Sequence, residues 1–150
     1  MKPPIVLLSV FVLSLLLFKA STGEWKYVIS GNIAMCCMLL FTGVAHFVFT
    51  KGMVMMMPSF IPYKREMIYL TGVLEFLLGI GLVIPQTRHR SSILIIIFFI
   101  LLLPANISAA LRHVNIEKGD YSGTGLRYLW FRIPLQLIFI LWVWLFNIQK

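Results

Sequence analysis

Five stretches of the chain, at 3–18, 28–49, 67–84, 93–111 and 129–146, are almost unbroken runs of apolar residues. A helix needs about 20 apolar residues to cross the hydrocarbon of a bilayer, with a working range of about 17–25. The last four runs reach that length, and the first lies at its lower edge. Within lipid the backbone cannot turn to water for hydrogen bonds, so each span must satisfy itself as a helix. Composition agrees: 60% of the 150 residues are hydrophobic and 12% are charged, a balance unsuited to a water-soluble globule. The runs predict an all-α fold, a polytopic membrane helix bundle.

The net charge of +8 does not point to nucleic acid. The basic residues mark the edges of the apolar runs and form no stripe, the pattern of topological anchors that meet anionic headgroups. Membrane lipids are therefore the expected partners, and nucleic acid is excluded. The two cysteines, Cys36 and Cys37, are adjacent in an apolar run, where helical neighbours point about 100° apart. That arrangement gives no disulfide framework, no zinc site and no redox pair, so both read as small apolar filler. No metal site, glycine-rich phosphate loop or nucleophile elbow is present in the sequence, and the spacing of His46 and His113 does not support a haem.

The first run could be a signal peptide, with Lys2, an apolar core and then Ala20-Ser21-Thr22-Gly23. It has one basic residue beyond the amino terminus and no clean A-x-A site, which favours a retained helix. Residues 1–27 are read as an N-terminal transmembrane helix or signal-anchor, and 28–150 as the membrane domain. With five spans, Lys2, Lys51, Lys64, Arg65, Arg112, Lys118, Arg127 and Arg132 share one side. Lys19, Lys26, Arg88, Arg90 and Lys150 lie on the other. The basic excess places the second and fourth loops in the cytoplasm.

Two loops differ in character. The segment TKGMVMMMPSFIPYKRE, 50–66, is apolar yet broken by Gly52, Pro58 and Pro62. It reads as an interfacial segment on the membrane surface or folded over the mouth of the bundle, since the prolines oppose continuation of the preceding helix. The segment 112–128 carries Gly119, Gly123, Gly125, Asp120 and Ser122 and reads as a flexible turn region. Tyr128, Trp130, Trp142 and Trp144 fit interface belts and lipid-facing bulk.

Ionisable groups inside a span are expensive and usually face the bundle interior. Glu75 sits in LTGVLEFLLGIGL, about 12 Å from the start of its run at a rise of about 1.5 Å per residue. It is too deep to snorkel easily and must be neutral, or paired with Arg132 or a protonated His46. His46, Asn106, Arg132 and Gln136 lie near the same end of their own spans, so four helices each bring a polar group to one half of the bilayer. Gly72 and Gly79 share the face of Glu75 and allow a neighbouring helix close; Thr42 and Gly43 flank His46 in the same way. Pro104 frees the carbonyl of Ile100 near Asn106, and Pro134 that of Trp130 unless the helix begins there. The ligand-binding candidates are His46, Glu75, Asn106, Arg132 and Gln136. Asn106 and Gln136 could also serve only as interhelical clamps.

The runs GVAHF (43–47), PSFIP (58–62), GVLEFLLGIGL (72–82), LPANISAA (103–110) and RIPLQ (132–136), in this order, resemble the DoxX-like family of small integral membrane proteins. The resemblance covers about residues 30–144. It implies a four-helix DoxX-like core, to which the first run adds one N-terminal helix. Its motifs fall on His46, Glu75, Pro104, Asn106, Arg132, Pro134 and Gln136. It also implies a plasma membrane of the bacterial inner-membrane type and, as partners, a membrane protein or redox enzyme. Two functions are expected from different classes. One is a non-enzymatic accessory or binding module whose polar pocket takes a lipid- or quinone-like molecule or a partner membrane protein. The other is a membrane subunit of a quinone-linked oxidoreductase, with the catalytic candidates His46 and Glu75 passing protons. The chain shows no flavin, iron–sulfur or haem motif and no covalent cofactor is expected, so a quinone is the one cofactor in view and the first function is favoured.

Overall fold

The computed structural model of the chain describes residues 2–148; Lys150, counted above for orientation, lies outside them. Each apolar run becomes a helix. In chain order these are α1 (Lys2–Thr22), α2 (Tyr27–Val48), a short α3 (Thr50–Met56), α4 (Lys64–Val83), α5 (Arg88–Leu111) and α6 (Leu126–Asn147). All but α3 are long and apolar enough to cross a membrane, which makes this a multi-pass membrane protein. Among the described residues there are no strands.

Two helices begin earlier than their apolar runs. α4 starts at Lys64 rather than at 67, which sets Glu75 deeper, about 16 Å from the helix start at about 1.5 Å per residue. α5 starts at Arg88 rather than at 93, drawing three basic or titratable residues into its first turn. Cations are unfavourable at a helix N-terminus. Arg88 relieves this by folding back: its Nε donates to the Leu82 carbonyl at 3.0 Å and one terminal nitrogen to that of Val83 at 3.3 Å.

Helices α2, α4, α5 and α6 close a four-helix ring, each packed on the next and α6 on α2. Met35, Met38, Leu39, Leu82, Ile95, Phe99, Phe139 and Val143 fill its centre. α1 stands outside this ring against α2. Its Leu7 is buried in the main core, and Phe11 meets Trp142 and Phe146 of α6 at ring separations of 5.0 and 5.7 Å.

The α2–α4 seam is the tightest. A Cβ on Gly43 would come within 2.5 Å of the Phe76 ring, and one on Gly72 within 2.9 Å of the His46 Cβ. Each glycine also faces the other's carbonyl, at 3.2 and 3.3 Å. Only residues without side chains let the two backbones approach this closely.

The segment 50–66 is partly helical. The path of α2 breaks at Phe49, and α3 turns in beneath α4 and α5. Met56 and Met57 are buried there, Met56 in a small cluster with Ala109 and Val114 against which Tyr128 packs. Gly52 lies directly against the backbone of Ile116. The methionines thus escape water by folding over one end of the bundle.

The segment 112–128, expected to be a flexible turn region, is instead pinned by its own hydrogen bonds. The Val114 N–H donates to Ala109, Gly123 to His113 and Asn115 to Asp120. The Ser122 hydroxyl and backbone N–H both donate to the Asp120 carboxylate, at 2.5 and 2.9 Å. These two bonds hold the Asp120 carboxyl below the ordinary carboxylate range.

Candidate intramembrane polar site

The α2–α4 seam brings Glu75 to His46. Glu75 is 3% exposed and His46 7%, and Glu75 Oε2 lies 3.6 Å from His46 Nδ1. Of the two partners considered for Glu75, contact therefore goes to His46. Arg132 makes no salt bridge with Glu75 among the described residues, though its charge acts on the carboxyl across space.

The His46–Glu75 contact is not a hydrogen bond. His46 Nδ1 lies 3.0 Å from the carbonyl of Thr42, one turn back on its own helix. A carbonyl only accepts, so Nδ1 carries the proton and directs it at Thr42. At 3.6 Å the imidazole stands beside the carboxyl group without donating to it. Glu75 Oε2 is fully buried and has no hydrogen-bond partner. The Thr42 hydroxyl stands beside the Glu75 carboxyl and has the carbonyls of Met38 and Leu39 as acceptors at 3.2 and 3.1 Å.

A second polar cluster joins α5 to α6. Asn106 Nδ2 donates to Gln136 Oε1 at 3.3 Å, and Gln136 Nε2 donates to the Phe99 carbonyl. The Tyr128 hydroxyl donates to Asn106 Oδ1 at 3.3 Å, and the Arg132 guanidinium sits over the Tyr128 ring at 5.2 Å. The Asn106 and Gln136 side chains are both buried.

The five candidate ligands thus fall into two groups, His46 with Glu75 and Asn106 with Gln136, and Arg132 joins the second through the Tyr128 ring. The prolines contribute less than their positions suggest. Pro104 and Ile100 are both on the exposed face of α5, and the acceptor that Gln136 uses is Phe99. Pro134 lies well inside α6, which begins at Leu126, so it is no first-turn residue; it too is exposed.

Sequence reasoning missed several polar residues. Tyr128, assigned to an interface belt, is part of the Asn106 cluster. Trp142 donates its Nε1–H to the Gly31 carbonyl at 3.1 Å, whereas Trp130 is 84% exposed as expected of a lipid-facing ring. Ser30 and Asn32 are buried at the other end of α2. Asn32 precedes Cys36, Leu39, Gly43 and His46 at helical spacing, so the face that carries His46 already marked it.

Two cavities open away from these clusters. One, of about 390 Å³, lies beside Trp25, Lys26 and Arg88. The other, of about 490 Å³, lies along the apolar outer face of α1 between Leu8 and Leu16. The polar site itself is closed around by Phe76, Phe47 and the α3 segment, with Phe47 stacked on Tyr69 and Phe76 at 5.5 and 6.0 Å. No group of three or more metal-ligating side chains gathers among the described residues.

Searches with the sequence match no curated protein and no solved structure. One family does match, over residues 35–147, which span α2 from Met35, the α3 segment and α4 to α6. Those residues include both polar clusters and leave out α1, and on that match the chain belongs to the family described as Domain of unknown function (DUF8561).

Proposed function

We propose that the protein is a non-enzymatic membrane module that holds a polar-headed, apolar-tailed molecule, of the lipid or quinone kind, against the Glu75–His46 pair. One observation carries this reading: the buried Glu75 Oε2 with no hydrogen-bond partner. A buried carboxyl oxygen left unsatisfied in hydrocarbon costs several kcal/mol. A ligand hydroxyl or amide N–H donating to it, or a quinone carbonyl accepting the proton of the neutral acid, would remove that cost. The aromatic rings over the site, Phe47 and Phe76, are partly exposed. They can swing aside to admit a head while its tail lies between helix and lipid. The resemblance to the DoxX-like family in LPANISAA and RIPLQ supports the same site, with Asn106, Gln136 and Arg132 as its far wall in a bacterial-type inner membrane.

The test is solvent extraction of the purified protein followed by mass spectrometry. The wild type is expected to retain a prenyl quinone or a single lipid class at near one equivalent. Glu75→Gln is expected to lose it at least tenfold with the thermal transition kept. If the wild type retains nothing, or Glu75→Gln retains as much, the reading fails and the pair is only a clamp between α2 and α4.

The 3.6 Å approach of His46 to Glu75 favours one second reading, a membrane subunit of a quinone-linked oxidoreductase in which the pair relays protons. It requires a partner that carries the electrons. Under it, His46→Gln lowers quinone turnover by the complex while quinone retention stays unchanged.

A further inference from the structure

We propose that the cavity beside Trp25, Lys26 and Arg88 binds the phosphate-bearing headgroup of an anionic phospholipid. It lies at the end of the bundle opposite α3, where α1 gives way to α2 and α4 to α5, and it stands independently of the function proposed above.

The cavity holds about 390 Å³ and is lined by Trp25, Lys26, Tyr27, Val28, Ile29 and Arg88. That lining is two cations, two interfacial aromatics and two aliphatic side chains, the sequence of surfaces a phospholipid presents from phosphate to first methylenes. Trp25 and Tyr27 are stacked at 6.2 Å and are 46% and 52% exposed. Half-exposed indole and phenol rings at a span end mark the headgroup level of a bilayer.

The cations are fixed and unpaired. Arg88 is tethered through Nε and one terminal nitrogen to the last carbonyls of α4, which leaves its other terminal nitrogen free to donate. Lys26 Nζ stands over the Phe18 ring of α1, 5.9 Å from its centroid. Among the described residues, neither cation forms a salt bridge. Nearby stand Lys19 and Arg90, with Glu24 as the one acid in the α1–α2 turn. A phosphate here meets a net positive potential.

The chemistry also selects among lipids. A choline headgroup would need an open aromatic face for its ammonium. The Trp25 ring is already engaged by Lys19 Nζ at 5.3 Å, and the two remaining cations repel a second ammonium. A phosphatidylglycerol headgroup carries no such group. Val28 and Ile29, in the first turn of α2, then receive the glycerol and the start of a chain.

The experiment is a lipid titration of the detergent-solubilised full chain, read by native mass spectrometry, with phosphatidylglycerol and phosphatidylcholine as probes. Phosphatidylglycerol is expected to bind the wild type more tightly than phosphatidylcholine. Lys26→Ala is expected to weaken phosphatidylglycerol about fivefold, the effect of about one interfacial cation, and to leave phosphatidylcholine unchanged. Arg88→Gln should behave alike. Because Arg88 also caps α4, Lys26→Ala decides the matter if Arg88→Gln unfolds. Arg90→Ala, on the same end but outside the cavity, should weaken phosphatidylglycerol less than Lys26→Ala does and leave phosphatidylcholine unchanged. The proposal is overturned by equal binding of the two lipids, by an unaltered Lys26→Ala, or by an Arg90→Ala loss as large as that of Lys26→Ala. It is also overturned if inorganic phosphate at low millimolar concentration displaces the lipid, which would make this a site for a soluble anion.

Discussion

At the scale of single residues, the two polar clusters are in different states. Asn106 and Gln136 satisfy one another: each amide gives and receives, and Tyr128 and the Phe99 carbonyl take the remaining valences. Glu75 is not satisfied, because His46 directs its only Nδ1 proton to Thr42. A completed network inside lipid serves stability, and its worth is modest. Interhelical polar contacts in membranes average about 0.6 kcal/mol and reach about 1.7 kcal/mol, since the separated helices also find partners. Gln136→Leu is accordingly expected to cost about 1 kcal/mol, seen as a fall of a few degrees in the thermal transition in detergent. Tyr128→Phe, which removes one bond at the rim, should cost less. A neutral Gln136→Leu would show that apolar packing alone holds α5 to α6. The sequence named Asn106 and Gln136 correctly as costly groups but could not say that they face each other. Depth along a helix is legible from residue number, whereas rotation about the helix axis depends on which neighbour each face meets. Tyr128 escaped for a related reason: a tyrosine near a span end looks the same whether its hydroxyl meets water or an amide.

At the scale of elements, the α2–α4 seam sets the distance between His46 and Glu75. Glycine was legible there as a spacing device, because Gly72 and Gly79 flank Glu75 on one face of α4. What the spacing did not reveal is that the two are unequal. A Cβ at Gly79 would meet its nearest neighbours, on α2, at 3.4 Å, an ordinary contact, whereas one at Gly72 would meet His46 Cβ at 2.9 Å. Gly72→Ala should therefore destabilise by about 1–3 kcal/mol through overpacking. Gly79→Ala should be neutral or gain part of the ~1 kcal/mol by which alanine exceeds glycine in a helix. Thermal melts of the two variants in one detergent check this, and a Gly79→Ala loss equal to that of Gly72→Ala would refute the asymmetry. Gly72→Ala should also push His46 away from Glu75, so it reports on the site as well as on the seam. Element boundaries were harder to read. Nothing in residues 88–92 marked the start of α5 five residues ahead of its apolar run, because the compensation for its basic first turn comes from carbonyls at the end of α4.

At the scale of the whole molecule, five spans alternate across the bilayer, so the ends of the bundle face different compartments. One end carries α3 and the pinned 112–128 loop, bound to each other by Gly52 on Ile116, by Lys51 alongside Gly119, and by Arg112, which donates to the Met57 carbonyl at 3.4 Å. The other end carries the α1–α2 turn and the α4–α5 turn with Lys26 and Arg88. The number of spans was legible in the sequence, since length and hydropathy need no tertiary information. The covering of one end by the methionine segment was legible only as a choice between lying on the membrane and folding over the bundle, because that choice is settled by a surface on α5 and the following loop. The α3 end holds the excess of basic residues near the spans, which predicts that this end faces the cytoplasm. In a variant with Cys36 and Cys37 replaced by alanine, Lys118→Cys should be protected from a membrane-impermeant thiol reagent applied to intact cells and react after lysis. Arg90→Cys should react in intact cells. Reaction of both from the same side would contradict the five-span arrangement itself, and the reverse pattern would keep the bundle while inverting it. Inversion would carry His46, in the last turn of α2 beside α3, to the opposite leaflet. It would also exchange the leaflet from which a lipid- or quinone-like molecule could enter.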